Sequence, residues 1–267
     1  MGRNKIDKID RIGEENYNNF GTLMKVVEYK DANDIVVEFQ DEYNARIHTS
    51  YQMFKKGNVR NPYDKTVYGV GYLGVGKYKA NVNRKPTKAY TAWVNMLMRC
   101  YEPHYVNKFP TYIYVTVCDE WHNFQNFAKW YYRNYYEIEG RRMHLDKDIL
   151  IKGNKIYSPE TCVFVPNNIN LLFVKCDNAR GEYPIGVSYN KTSGKLLVRC
   201  NIIDENGKKK TKNKHLGYFP LNRPFQAFYA YKQFKEQYIK QVADEYKDLI
   251  PDKLYEVLYK YVVEIND

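Results

Sequence analysis

The stretch RPFQAFYAYKQFKEQYIKQVADEYKDLI, residues 223–250, constrains the fold more than any other. Pro224 sits where a helix tolerates proline, in its first turn, and Pro251 prevents the helix from running on. One long amphipathic helix is therefore predicted, with Phe225, Phe228, Ala230, Tyr231 and Phe234 as its apolar stripe. A stripe of that kind needs a layer to cover it. Three segments with strand alternation precede it, PIGVSYNKT, GKLLVRCNIID and KHLGYFP, separated by turn chemistry at TSGK and DENGKK. A helix lying across three strands is the expectation, with Leu216, Phe219, Phe228 and Tyr231 in the core. A second short helix in DKLYEVLYKYVVEI follows it.

The remaining sequence reads as two further small modules, giving an α+β chain divided into residues 1–83, 84–178 and 179–267. In the first, LMKVVEYK and DIVVEFQD alternate as strands around a DAND hairpin turn. SYQMFKKG follows as a helical turn, YGVGYLGVGKY as a loop or bulged strand, and NVNRKPTKA as a polar linker. In the second, Ala89, Trp93, Met96, Leu97 and Cys100 share a helical face, and TYIYVTVC alternates like a strand. DEWHNFQNFAKWYYRNY is predicted helical, with Asp119 as N-cap and Trp121, Phe124, Phe127, Ala128 and Tyr131 buried. Then come the strand MHLDKDIL, the loop IKGNKIYSPET, the strand CVFVP and, after Pro166, the helix NNINLLFVKC.

Composition excludes several classes. Aromatic residues make up 16% of the 267, including 28 tyrosines, which is a folded chain and not a disordered basic tail. No run reaches the roughly 18 apolar residues of a membrane span. MGRNKIDKIDRIG lacks the apolar core of a secretion signal, and Met1-Gly2 has no supporting second anchor for lipidation. Five scattered cysteines, Cys100, Cys118, Cys162, Cys176 and Cys200, form no C-x-x-C pair, which predicts buried thiols in a reducing cytoplasm and neither a zinc knuckle nor a disulfide framework.

The net charge of +11 is unevenly placed. Residues 186–240 hold twelve Lys and Arg against Asp204, Glu205 and Glu236, whereas residues 241–267 carry three basic and seven acidic groups. A module so basic attracts polyanions, and double-stranded DNA is the expected partner; a solvated basic face without a ligand is the alternative. An RNA reader using tyrosine stacking is a further reading, against which the tyrosines fall at helical, core-like spacing. A three-stranded sheet with one face under a helix leaves the other for the major groove. Ser188, Lys191, Lys195 and Arg199 are candidates for that face, and Lys212, Lys214 and His215 flank the third strand. Lys55, Lys56, Arg60 and Lys65 of the first module could add phosphate contacts or form a solvated loop.

HLDKDILIKGNKIYSPETCVFVPNNIN, residues 144–170, carries the second constellation. Strand, loop, strand and helix, with an acid closing the first strand and amides on the helix, is the layout of a ββα-metal nuclease. There a divalent cation stabilises charge on the scissile phosphate, held by hard ligands, and an imidazole takes the proton from water. Through YTAWVNMLMRCYEP, VCDEWHNFQNFAKWY, LDKDI, YSPETCVFVP and NNIN, the segment resembles the HNH endonucleases, especially phage-borne homing-type members. The resemblance implies Mg²⁺ or another divalent cation, held by Asp146 and Asn170 with Asn168 as the alternative to the latter. Asn154 stands where the family orients its site, and the setting implied is the cytoplasm of a bacterial host. The family's Asp-His pair is Asp146-Lys147 here. A cationic lysine suits a phosphate oxygen better than a water proton, and His144, on the same strand face as Asp146, is a substitute base, a third ligand or a surface residue. Asp146 and Asp148 could equally cap turns. Two functions follow: metal-dependent DNA nicking or cleavage, or DNA binding on a degenerate nuclease fold, by a monomer in either case.

Gly186-Val187, Lys195 to Arg199, Leu216-Gly217-Tyr218-Phe219, and Ala227, Phe228, Ala230 and Tyr231 resemble the plant Apetala/ethylene-response-factor DNA-binding domain. That resemblance implies base or phosphate contacts by Lys195 and Arg199. The family's tryptophan before Leu-Gly is His215 here, and its arginine-rich first strand is reduced to Ser188, Tyr189 and Lys191.

Overall fold

The computed structural model describes residues 11–174, 182–203, 211–265 and 267. The first ten residues, Cys176, the predicted module start near Gly181 and the DENGKK turn lie outside the described residues. The chain is α+β with several small sheets and divides into two compact units, Met1–Tyr132 and Arg133–Asp267.

In the first unit, β1 (Glu15–Tyr17), β2 (Leu23–Asp31), β3 (Asp34–Phe39) and β4 (Arg46–Thr49) form an antiparallel sheet in sequence order. The predicted DAND turn joins β2 to β3, tightened by the Asn33 N–H donating to Asp31 Oδ1 at 2.8 Å. Met24, Val26, Ile35, Val37 and Phe39 form its core with Phe54 of α1 (Tyr51–Lys55). The predicted linker is a two-residue hairpin, β5 (Asn81–Val82) and β6 (Lys85–Pro86), turning through Asn83 and Arg84 at positive φ. Three helices follow: α2 (Lys88–Tyr101), α3 (Pro103–Lys108) and α4 (Phe124–Asn134). Both predicted apolar stripes are buried, and Trp93 Nε1 donates to the Trp121 carbonyl at 2.7 Å.

Two local expectations fail in this unit. TYIYVTVC is not one strand: Pro110 opens a 3₁₀ turn, Ile113 and Tyr114 are exposed, and only β7 (Thr116–Val117) is extended. Asp119 caps no α-helix either. It begins a separate 3₁₀ turn, Asp119–His122, and α4 starts after Asn123, whose Oδ1 accepts from the Gln125 N–H at 2.9 Å.

In the second unit, β8 (Met143–Asp146) pairs antiparallel with β10 (Val163–Pro166), with β9 (Ile156–Tyr157) in the segment between. α5 (Asn167–Asn170) starts after Pro166, as expected, but passes into a 3₁₀ turn over Leu171–Phe173. β11 (Val187–Asn190), β12 (Lys195–Ile203) and β13 (Thr211–Phe219) form the predicted three-stranded antiparallel sheet. The predicted long helix is α6 (Pro224–Glu245), and α7 (Asp252–Tyr259) follows.

α6 serves two cores. Ala227, Phe228 and Tyr231 pack on Val187, Leu196, Val198 and Cys200 of the three-stranded sheet. Two to four turns on, Ile239, Val242 and Ala243 join Val163, Val165, Ile169, Leu254 and Leu258. Ile203, at the end of β12, belongs to that second core, and its N–H donates to Tyr238 Oη at 2.8 Å. The predicted stripe needs one correction: Phe225 is 64% exposed, because it precedes the turn at which α6 meets the sheet.

Candidate nucleic-acid interface

Asp146 ends β8 and folds back on its own chain. Its Oδ1 accepts the N–H of Asp148 at 2.9 Å and that of Ile149 at 2.7 Å, closing a turn where MHLDKDIL was expected to continue as a strand. Asp and Asn side chains favour such turns because they imitate a backbone carbonyl. Burial and the neighbouring Asp148 charge push the Asp146 carboxyl up to about 6, against the two N–H bonds, which favour its ionised form.

Lys147, in the position of a nuclease base, is buried. Its Nζ lies 2.9 Å from Asp148 Oδ2 and 5.8 Å from the centre of the Tyr157 ring. Asn154 clips the following loop, donating through Nδ2 at 2.7 Å to the carbonyls of both Lys147 and Ile156. His144 and Asp146 lie opposite Val165 and Val163 in the β8–β10 register, so both share the sheet face that carries those core valines.

α5 packs against β8 and β10. Two positions apart on a helix are about 200° around its axis, so Asn168 and Asn170 cannot both face the strand. Asn168 is buried and donates to Tyr246 Oη, while Asn170 is half-buried. The residues present are a poor fit to a divalent ion. One carboxylate is available, with one oxygen already accepting two N–H groups, and no group of three His, Cys, Asp or Glu suited to a metal occurs among the described residues.

The three-stranded sheet separates the predicted basic residues by face. In its register Lys195 lies opposite Asn190, Ser188 opposite Leu197, Leu197 opposite Tyr218, and Arg199 opposite His215. Directly opposed residues point the same way, so Ser188, Lys195, Arg199 and His215 share the face away from α6. All four are exposed. Lys212 and Lys214 are exposed too, but lie opposite Ile202 and Cys200, in the rows of the helix-covered face. Lys191 is exposed in the turn between β11 and β12.

Sequence reasoning missed Tyr218, Asn201 and Asn213 on the open face. Tyr218 is half exposed, with its ring centre 5.0 Å from that of His215, and Asn201 lies opposite Asn213. A register shift between Val198 and Arg199 sets their rows; it arises from pairing, and no local pattern announces it. Among the described residues neither Lys195 nor Arg199 makes an ion pair, and no helix is long and apolar enough to cross a membrane. No protein family, curated protein or solved structure matches the chain.

Proposed function

We propose that this protein binds duplex DNA through the open face of the β11–β12–β13 sheet, and that its Asp146 segment is structural. One observation carries the reading: Lys195, Arg199, His215 and Tyr218 share an exposed face whose reverse is packed on a helix. Guanidinium and ammonium groups contact phosphates and base edges, and a backed sheet presents them without reorganisation. Metal-dependent nicking is the rival. The burial of Lys147 on Asp148 and the turn closed by Asp146 speak against it.

Supercoiled plasmid incubated with the protein and Mg²⁺, Mn²⁺ or EDTA separates the two. Retarded but intact plasmid is expected in all three. Metal-dependent conversion to open circles establishes the nuclease, and unretarded plasmid at low salt sinks both readings.

A further inference from the structure

The buried stripe of α6 runs Phe228, Tyr231, Lys235, Ile239, Val242. Spacing of three and four residues dictates an apolar side chain at the third of these positions. The chain places a lysine there, 5% exposed, and among the described residues it makes no hydrogen bond or ion pair. Burying the lysine stem in this stripe costs part of the ammonium's hydration, while Nζ itself keeps some solvent access.

Lys235 lines a pocket of about 330 Å³. The pocket lies where β12 continues past its last pairing with β11, which ends at Val198. Arg199, Asn201 and Asn213 also line it, and Tyr231 and Val187 supply apolar wall. Its one acidic side chain, that of Asp267, is already matched, with Lys152 Nζ 2.6 Å from Oδ1. With a lysine, an arginine and two asparagines among its lining residues, the pocket suits a group with several acceptor oxygens. The volume and apolar wall leave room for an organic portion beside it.

We propose that this pocket is a binding site for a small phosphate-bearing ligand, with Lys235 as its principal cationic contact. The site shares Arg199 with the proposed DNA face and adds Lys235 of α6, which that face does not use, so a change at Lys235 separates the two readings. Desolvation by burial lowers the affinity of Lys235 for its proton, opposed by Cys200, and a bound anion would raise that affinity again.

Thermal unfolding of the full chain, without nucleic acid and at constant ionic strength, tests this with inorganic phosphate, adenosine monophosphate and chloride as probes. A ligand that binds only the folded state raises the melting temperature by mass action. Phosphate or the nucleotide should do so and chloride should not; a rise with the nucleotide alone assigns the organic portion a part in binding. Lys235→Met keeps the length and apolarity of the stem and should weaken the effective probe on the order of 30-fold or more. No rise with either phosphate probe, an equal rise with chloride, or an undiminished rise in the methionine variant overturns the proposal. Should that variant not fold, Asn213→Asp puts a carboxylate at an exposed position of the same wall. Weakening of about 10-fold is expected, and unchanged affinity there counts equally against the site.

Discussion

Asp146 shows how one side chain can look like a metal ligand in sequence and close a turn in space. Its carboxyl is raised to about 6 in the folded chain, above the ordinary aspartate value of about 3.9, so the folded state holds this proton more tightly than the unfolded state does. The stabilisation is complete below about pH 4 and is lost as pH rises through about 6. Asp146→Asn keeps an Oδ1 for the Asp148 and Ile149 N–H groups but removes the titration. The variant should match the parent at pH 4 and exceed its stability by on the order of 1–2 kcal/mol at pH 7, in urea unfolding at both pH values. Equal stability difference at the two pH values would mean that Asp146 is not held in this state. The Asp and Asn positions were legible in the sequence, as was the possibility that Asp146 caps a turn. Which use prevails depends on the Ile149 and Asp148 amides and on the burial of Lys147, none of which periodicity reports.

Among the elements, β11 depends on the residue before it. Gly186 has φ +79°, and a Cβ there would lie 2.1 Å from Cδ2 of Tyr231, one of the residues that seat α6 on the sheet. Gly186→Ala therefore combines left-handed strain with overpacking, and should cost roughly 2–4 kcal/mol in denaturant unfolding. A cost within experimental error would show that Tyr231 packs elsewhere. The sheet itself was legible because strand alternation and the TSGK turn agree, and Gly194 and Ser193 do close that turn on Asn190. TYIYVTVC was misread because alternation alone cannot say whether a partner strand exists to receive the apolar side chains. Face assignment was legible only in part. It yields a sharper expectation for DNA: Lys195→Ala and Arg199→Ala should each flatten the dependence of log affinity on log salt by about 0.9, if each neutralises one phosphate. Lys212→Ala and Lys214→Ala, from the rows of the other face, should change that slope less. The reverse ranking would move the interface to the helix side.

At the scale of the molecule, α6 is the organising member of the second unit, because its two halves seal different cores. Helical periodicity says that a stripe is buried without naming its partners, so the sequence alone did not show that α6 also covers residues of β10 and α5. A 181–267 fragment leaves Ile239, Val242 and Ala243 without Val163, Val165 and Ile169. It should unfold at lower denaturant and bind an apolar dye, whereas a 133–267 fragment should unfold cooperatively; equal behaviour of the two would show that the three-stranded core suffices. The shared helix also carries a consequence for synthesis on the ribosome. The β8–β10 hairpin and the β11–β12–β13 sheet both emerge before residues 224–245, so each must wait with an apolar face uncovered until the same helix arrives. Final assembly of the two cores is thereby tied to a single late event, and the interval before it is when the nascent chain is most exposed to aggregation.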